Sequence, residues 1–118
     1  MSTPTLTAWD NIAPEPMSPL ITRQYITGTH TTVARIVLLK DAVVARHSHP
    51  NEQISQLLSG SVVFHFDDHD LTLLPGEALT IPPHIPHRVI ALQDSVALDI
   101  FSPIRQDWID GTDAYLRG

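Results

Sequence analysis

Between Thr31 and Leu39 the chain places Val33, Arg35, Val37 and Leu39 on one face and Ala34, Ile36 and Leu38 on the other. That period of two is the mark of an extended strand. Leu20–Thr27 has the same Ile- and Thr-rich composition, and shorter runs follow at Ala42–Ala45, Gln53–Leu58, Ser61–Phe66, Leu71–Leu74, Ala78–Ile81, Arg88–Leu92 and Val96–Phe101. Turn-formers separate them: Ser59-Gly60, Asp67-Asp68, Pro75-Gly76 and Pro82-Pro83. Many short strands so closely spaced predict an all-β sandwich or barrel. The ten prolines fit, because Pro ends strands and is excluded from the middle of central ones. Only the tail, Arg105 to Leu116, has a pattern suited to a short helical turn.

A length of 118 residues allows one domain with one core. Residues 1–19, with Pro4, Pro14, Pro16 and Pro19, are expected to be an extended N-terminal arm lying along the body or onto a partner subunit, and residues 20–118 to be the barrel domain. The net charge of −6, with one Lys and six scattered Arg, argues against a nucleic-acid or anionic-membrane surface. No apolar run approaches the ~18 residues of a membrane span, and the opening lacks a cationic and an apolar leader segment, so a cytoplasmic location is expected. The absence of Cys excludes disulfides, thiolate metal ligands and a thiol nucleophile.

Seven His against seven Lys plus Arg is a high ratio. His47 and His49, two apart in an extended segment, project to the same side, and two converging imidazoles suit a divalent metal. The plainer alternative is a polar patch at a strand end. His30, between strands, His65, on a strand face opposite Val62, Phe64 and Phe66, and His69, in an acidic turn, are expected at the surface, and His84 in the Pro-rich turn. Asp67-Asp68-His69-Asp70 reads as a solvated hairpin turn, since the ligand spacing and Gly of a calcium loop are missing.

The segments HSHPNEQISQLLSG and LLPGEALTIPPHIPHRV, with this strand pattern around them, resemble the cupin superfamily, small metal-binding jelly-roll barrels. The first cupin motif falls on His47, His49, Gln53 and Gly60, and the second on Gly76, Pro82 and His87, with His84 where the family usually has Gly. The resemblance implies His47, His49, Gln53 and His87 as ligands of a divalent transition metal, Ni, Zn, Mn or Fe. Glu52 is the rival to Gln53, but neighbours in a strand face opposite ways and only one can point inward. With three His and one Gln the ligand set is neutral, so the metal keeps its double charge inside an otherwise acidic protein. That favours an anionic oxygen ligand and Lewis-acid chemistry.

In ALDIFSPIRQDW, Asp99 and Phe101 share a strand face, and Arg105 follows a Ser-Pro turn that could carry its guanidinium over the barrel mouth. An acid, an aromatic wall and a carboxylate-binding fork make a small-acid site. The alternative is an Asp99–Arg105 salt bridge closing the barrel end. The D-x-F-S-P-x-R-x-D-W pattern, with the HSHPNEQ motif, Trp9, Tyr115 and the terminal YLRG, is similar to the KdgF family of pectin and alginate catabolism. The resemblance implies a metal-dependent enzyme converting 4,5-unsaturated monouronates to linear ketonised 4-deoxy uronates, with Asp99 as catalytic acid or base and Phe101 and Arg105 around an anionic sugar acid. A homodimer is expected on the same ground. An iron oxygenase, an isomerase or lyase acting on another small acid, and a non-catalytic uronate-binding cupin remain alternatives.

Overall fold

The alternation around Ala34 is a strand, β3 (Thr32–Leu38), with Thr32, Ala34, Ile36 and Leu38 buried and the residues between them half-buried. It lies within a computed structural model that describes residues 3–116. Nine further strands accompany it: β1 (Glu15–Ser18), β2 (Ile21–Thr27), β4 (Val43–His47), β5 (Glu52–Ser59), β6 (Val62–Phe66), β7 (Asp70–Leu73), β8 (Ala78–Ile81), β9 (His87–Ala91) and β10 (Ser95–Ser102). They form two antiparallel sheets, one in the order β1-β2-β3-β10-β5-β8 and one in the order β4-β9-β6-β7. This is the expected jelly-roll barrel. The tail carries one short helix, α1 (Gln106–Asp110), and a 3-10 turn at Ala114–Leu116; Gly111, at φ 75°, ends the helix in the left-handed conformation. No helix among the described residues is long and apolar enough to cross a membrane.

The inward faces meet in one core. Ile36, Leu38, Leu57 and Ala97 come from the larger sheet, and Val44, Val62, Phe64, Leu73, Val89 and Ala91 from the smaller. Each large apolar side chain so buried contributes about 1.5–3 kcal/mol. Within segment 1–19, Glu15–Ser18 pairs with β2 of its own chain as an edge strand and Met17 enters the core. Pro at positions 14 and 16 suits an edge, where no ladder hydrogen bond is lost. Arg23, on β2, ties this edge to the tail: its guanidinium, 1% exposed, meets Glu15 at 2.8 Å and Asp113 at 2.6 Å and lies 4.3 Å from the Trp108 ring centroid.

Gly60 turns the chain from β5 into β6 at φ +93°, and a Cβ there would run into the Ser95 hydroxyl and the Asp94 carbonyl. Left-handed backbone and a contact with a neighbouring main chain add together. Gly60→Ala is therefore expected to destabilise the protein by at least about 2 kcal/mol, read as a lower urea midpoint at unchanged slope. An unchanged midpoint would show that the turn adapts without strain.

Candidate metal centre and active site

Strand register assembles the site. His47 at the end of β4 stands directly opposite His87 at the start of β9. Gln53 on β5 stands opposite Phe101 on β10, and Ser55 opposite Asp99. Since β4 and β9 belong to one sheet and β5 and β10 to the other, two cross-strand pairs converge from facing walls at one end of the barrel. His49 follows β4 in the loop and is buried.

Candidate ligand atoms of His47, His49 and His87 lie within 4.8 Å of one another. All three imidazoles are oriented the same way. Each Nδ1 faces a backbone carbonyl, of Ala45 at 2.8 Å, Asn51 at 3.1 Å and Ile85 at 2.8 Å respectively. An Nδ1–H donated to a carbonyl leaves the Nε2 lone pair free and fixes the ring, the usual support of a metal-binding His. The Gln53 oxygen Oε1 lies 3.0 Å from His49 Nε2, while its Nε2 donates to Ser55 Oγ at 2.8 Å. Two acceptors thus face each other. A second proton on His49 would reconcile them, but burial first, and then the Arg105 charge, hold His49 down at about 4. His47 is held lower, at about 3, by burial and by the neighbouring His87 and His49, and His87 is also lowered, chiefly by burial. At neutral pH these are uncharged donors, and a divalent cation fits among them. Gln53 points inward and Glu52 is exposed, so Gln53 can complete the set and Glu52 cannot.

A cavity of about 50 Å³, open at its mouth, is lined by His47, Gln53, His87, Asp99, Phe101 and Arg105 over an apolar floor. Asp99 is buried, and burial pushes its carboxyl up to about 6 against the opposing pull of a Ser55 hydrogen bond and of Arg105. Gln53 donates to Ser55, and Ser55 is the cross-strand partner of Asp99, so Ser55 stands between the candidate ligands and a carboxyl group that can both hold and release a proton near neutrality.

Arg105 is held differently from the expectation. The alternative Asp99–Arg105 bridge is not formed among the described residues, and the fork is not open either. Nε and Nη2 donate to the two carboxylate oxygens of Asp107 at 2.9 and 2.8 Å. Nη2 also donates to the Tyr115 hydroxyl. Asn51 fixes the preceding turn by donating to the carbonyls of Pro103 at 2.6 Å and Ile104 at 3.1 Å, and the Arg105 N–H donates to Thr32 Oγ1 at 2.9 Å.

The four remaining histidines stand apart from this cluster. His65 pairs with Asp70 at 2.8 Å and His69 with Asp68 at 2.6 Å, in and beside the acidic turn. His30 and His84 are exposed, and His84 takes the left-handed conformation, φ 67°, where a Gly is usual. Sequence reasoning missed Asn51, Ser55 and Asp107. Ser55 had a signal, two residues from Gln53 and so on the same strand face; Asn51 and Asp107 act across loops, where no period points to a partner.

A family model, the cupin domain, matches residues 34–101, which hold all of the candidate ligands and Asp99. The chain belongs to the cupin family. This cupin is similar to the solved structure of KdgF from Halomonas sp., at 26% identity over 88% of this chain and 99% of that one, with a TM-score of 0.81. It is also similar to an RmlC-like cupin from Shewanella frigidimarina, at 22% identity over 90% and 96% of the two chains with a TM-score of 0.82. A third likeness is to the polyketide cyclase RemF from Streptomyces resistomycificus, at 18% identity over 86% and 80% with a TM-score of 0.72. The last two speak for the fold alone. No curated protein matches the chain by sequence.

Proposed function

We propose that this cupin converts cyclic 4,5-unsaturated monouronates, of the kind released from pectin or alginate, to linear ketonised 4-deoxy uronates. The observation that carries the reading is the placement of Asp99: a buried carboxyl group, pushed up to about 6 by that burial, on the wall of the same cavity as the His47 and His87 imidazoles and the Arg105 guanidinium. The KdgF-like framework supports it over nearly the full length of both chains.

The reaction is a balanced isomerisation. The C1 hydroxyl loses its proton, the bond from C1 to the ring oxygen breaks and C1 becomes an aldehyde. The electron pair stays on the ring oxygen, now an enol oxygen on C5. C4 takes up a proton and C5 becomes a ketone beside the carboxylate. No oxidant and no water is consumed. Asp99, ionised in part at neutral pH, accepts the hydroxyl proton and returns one to C4. Arg105 meets the substrate carboxylate, and the Phe101 ring forms a wall against the sugar. His47, His49, His87 and Gln53 would hold a divalent metal, which when bound would supply positive charge for polarising sugar oxygens. The remaining cavity wall, largely aliphatic, excludes water and strengthens these electrostatic contacts.

Proton NMR of the products from an unsaturated galacturonate tests the reading. The expected outcome is loss of the C4 vinyl signal and appearance of a C4 methylene, with no dissolved oxygen consumed. Oxygen uptake would favour an iron oxygenase, and binding with an unchanged spectrum would favour a non-catalytic uronate-binding protein.

A further inference from the structure

The Arg105 guanidinium is 2% exposed yet lines the cavity. Its carbon lies 4.6 Å from the Phe101 ring centroid, 4.5 Å from Trp108 and 5.9 Å from Tyr115. Stacking of this kind fixes the plane of a guanidinium but leaves it free to rotate within that plane. Rotation is stopped by the edge contacts: Asp107 takes Nε and Nη2 side-on, and Tyr115 takes Nη2 as well. Asp107 does not line the cavity, so the edge it holds is turned away from it. Nη1 is the one nitrogen of Arg105 that makes no hydrogen bond among the described residues.

Tyr115 extends this clamp to the candidate metal centre. Its ring stacks on His47, with centroids 4.0 Å apart and planes 10° from parallel, and its oxygen also accepts from Trp108 Nε1 at 3.3 Å. One side chain thus touches the carboxylate-binding group and a candidate metal ligand together.

We propose that Asp107 and Tyr115 are positioning residues that aim Arg105, so that an anionic substrate is recognised end-on through Nη1 and not through the guanidinium fork. Because Asp107 already offsets the Arg105 charge, discrimination for a carboxylate rests on the placement of that one nitrogen more than on net charge. The inference rests on the reading of Arg105 as the carboxylate-binding group and is independent of whether turnover occurs.

The test is binding of saturated galacturonate, which cannot be ketonised, against uncharged galactose, by calorimetry on metal-loaded protein. Wild type is expected to prefer galacturonate. Tyr115→Phe, which removes only the hydroxyl, should bind galacturonate about 3- to 10-fold more weakly and Asp107→Asn about 10-fold more weakly, with galactose binding unchanged in both. Asp107→Glu, which keeps the carboxylate, should recover part of the loss. A merely structural role would weaken both sugars together and would overturn the proposal. Tighter galacturonate binding by Asp107→Asn would also overturn it, showing that Asp107 competes for the fork. If wild type does not distinguish the two sugars, the assignment of Arg105 itself fails; if wild type does and both variants match it, only the positioning role fails.

Discussion

Replacing His87 with Ala is expected to abolish divalent-metal binding by this cupin while leaving it folded. Loss of an outer hydrogen-bond partner of a ligating His commonly lowers metal affinity 10- to 100-fold, so loss of a ligand itself should lower it by at least about 100-fold. Three observations place His87 at the centre of the set: it is the cross-strand partner of His47, it is 1% exposed, and its Nδ1 is held by the Ile85 carbonyl so that Nε2 is left for a cation. The ring centroids of His47 and His87 are 4.3 Å apart, so both serve one point. Elemental analysis after reconstitution should find about one divalent ion per wild-type chain and far less than one in the variant. The cavity left by the lost ring should cost about 1–3 kcal/mol in metal-free protein, too little to abolish cooperative unfolding. A His87→Ala protein with full metal content would remove it from the ligand set.

Asp99→Asn is expected to lower kcat for ketonisation about 10²- to 10⁴-fold and, in metal-free protein at pH 8, to raise stability. The folded carboxyl titrates at about 6, above its ordinary value of 3.8, because it is buried. Between those values the folded state binds more protons than the unfolded state, so stability falls as pH rises, and the full cost is present above about 6. A shift of roughly two units corresponds to about 3 kcal/mol. Asn cannot ionise, so the variant's advantage should be absent below pH 4, grow between pH 4 and 6 and level off above. Urea unfolding at pH 4 and pH 8 reads the difference. A stabilised, metal-competent and inactive variant is what a side chain kept for chemistry at the expense of the fold should give. Equal stability at both pH values would mean that Asp99 is not desolvated.

The strands were legible from their Ile-, Val-, Thr- and Leu-rich runs and the turn-formers between them. Burial alternates with a period of two along β3, β5 and β10, but polarity does not follow it, since the buried face carries Gln53, Ser55 and Asp99 and the half-buried face Ile54, Leu98 and Ile100. The same parity separated Gln53 from Glu52 and put Asp99 and Phe101 on one face, as the structure has them. Parity says which face a residue takes, but not which residues face each other across strands. The pairing of Ser55 with Asp99 depends on the β5–β10 register, which is set by turns and bulges far from either residue. The tail was least legible. Arg105 was read as a carboxylate-binding fork with Asp99 as its one alternative partner; the partner it has, Asp107, is brought to it by α1, which begins between them. The edge strand Glu15–Ser18 was hidden by its own prolines, which are tolerated there because one side of an edge strand needs no partner.

The most direct measurement is the rate at which an unsaturated monouronate loses its conjugated-alkene absorbance when metal-loaded protein is added. Ring opening occurs spontaneously, so the quantity is the acceleration over buffer. The expected result is a rate proportional to protein concentration, lost on chelation and restored by adding the metal back, and reduced at least about 100-fold in Asp99→Asn. A wild-type protein with its metal confirmed in place and no acceleration over buffer would contradict it.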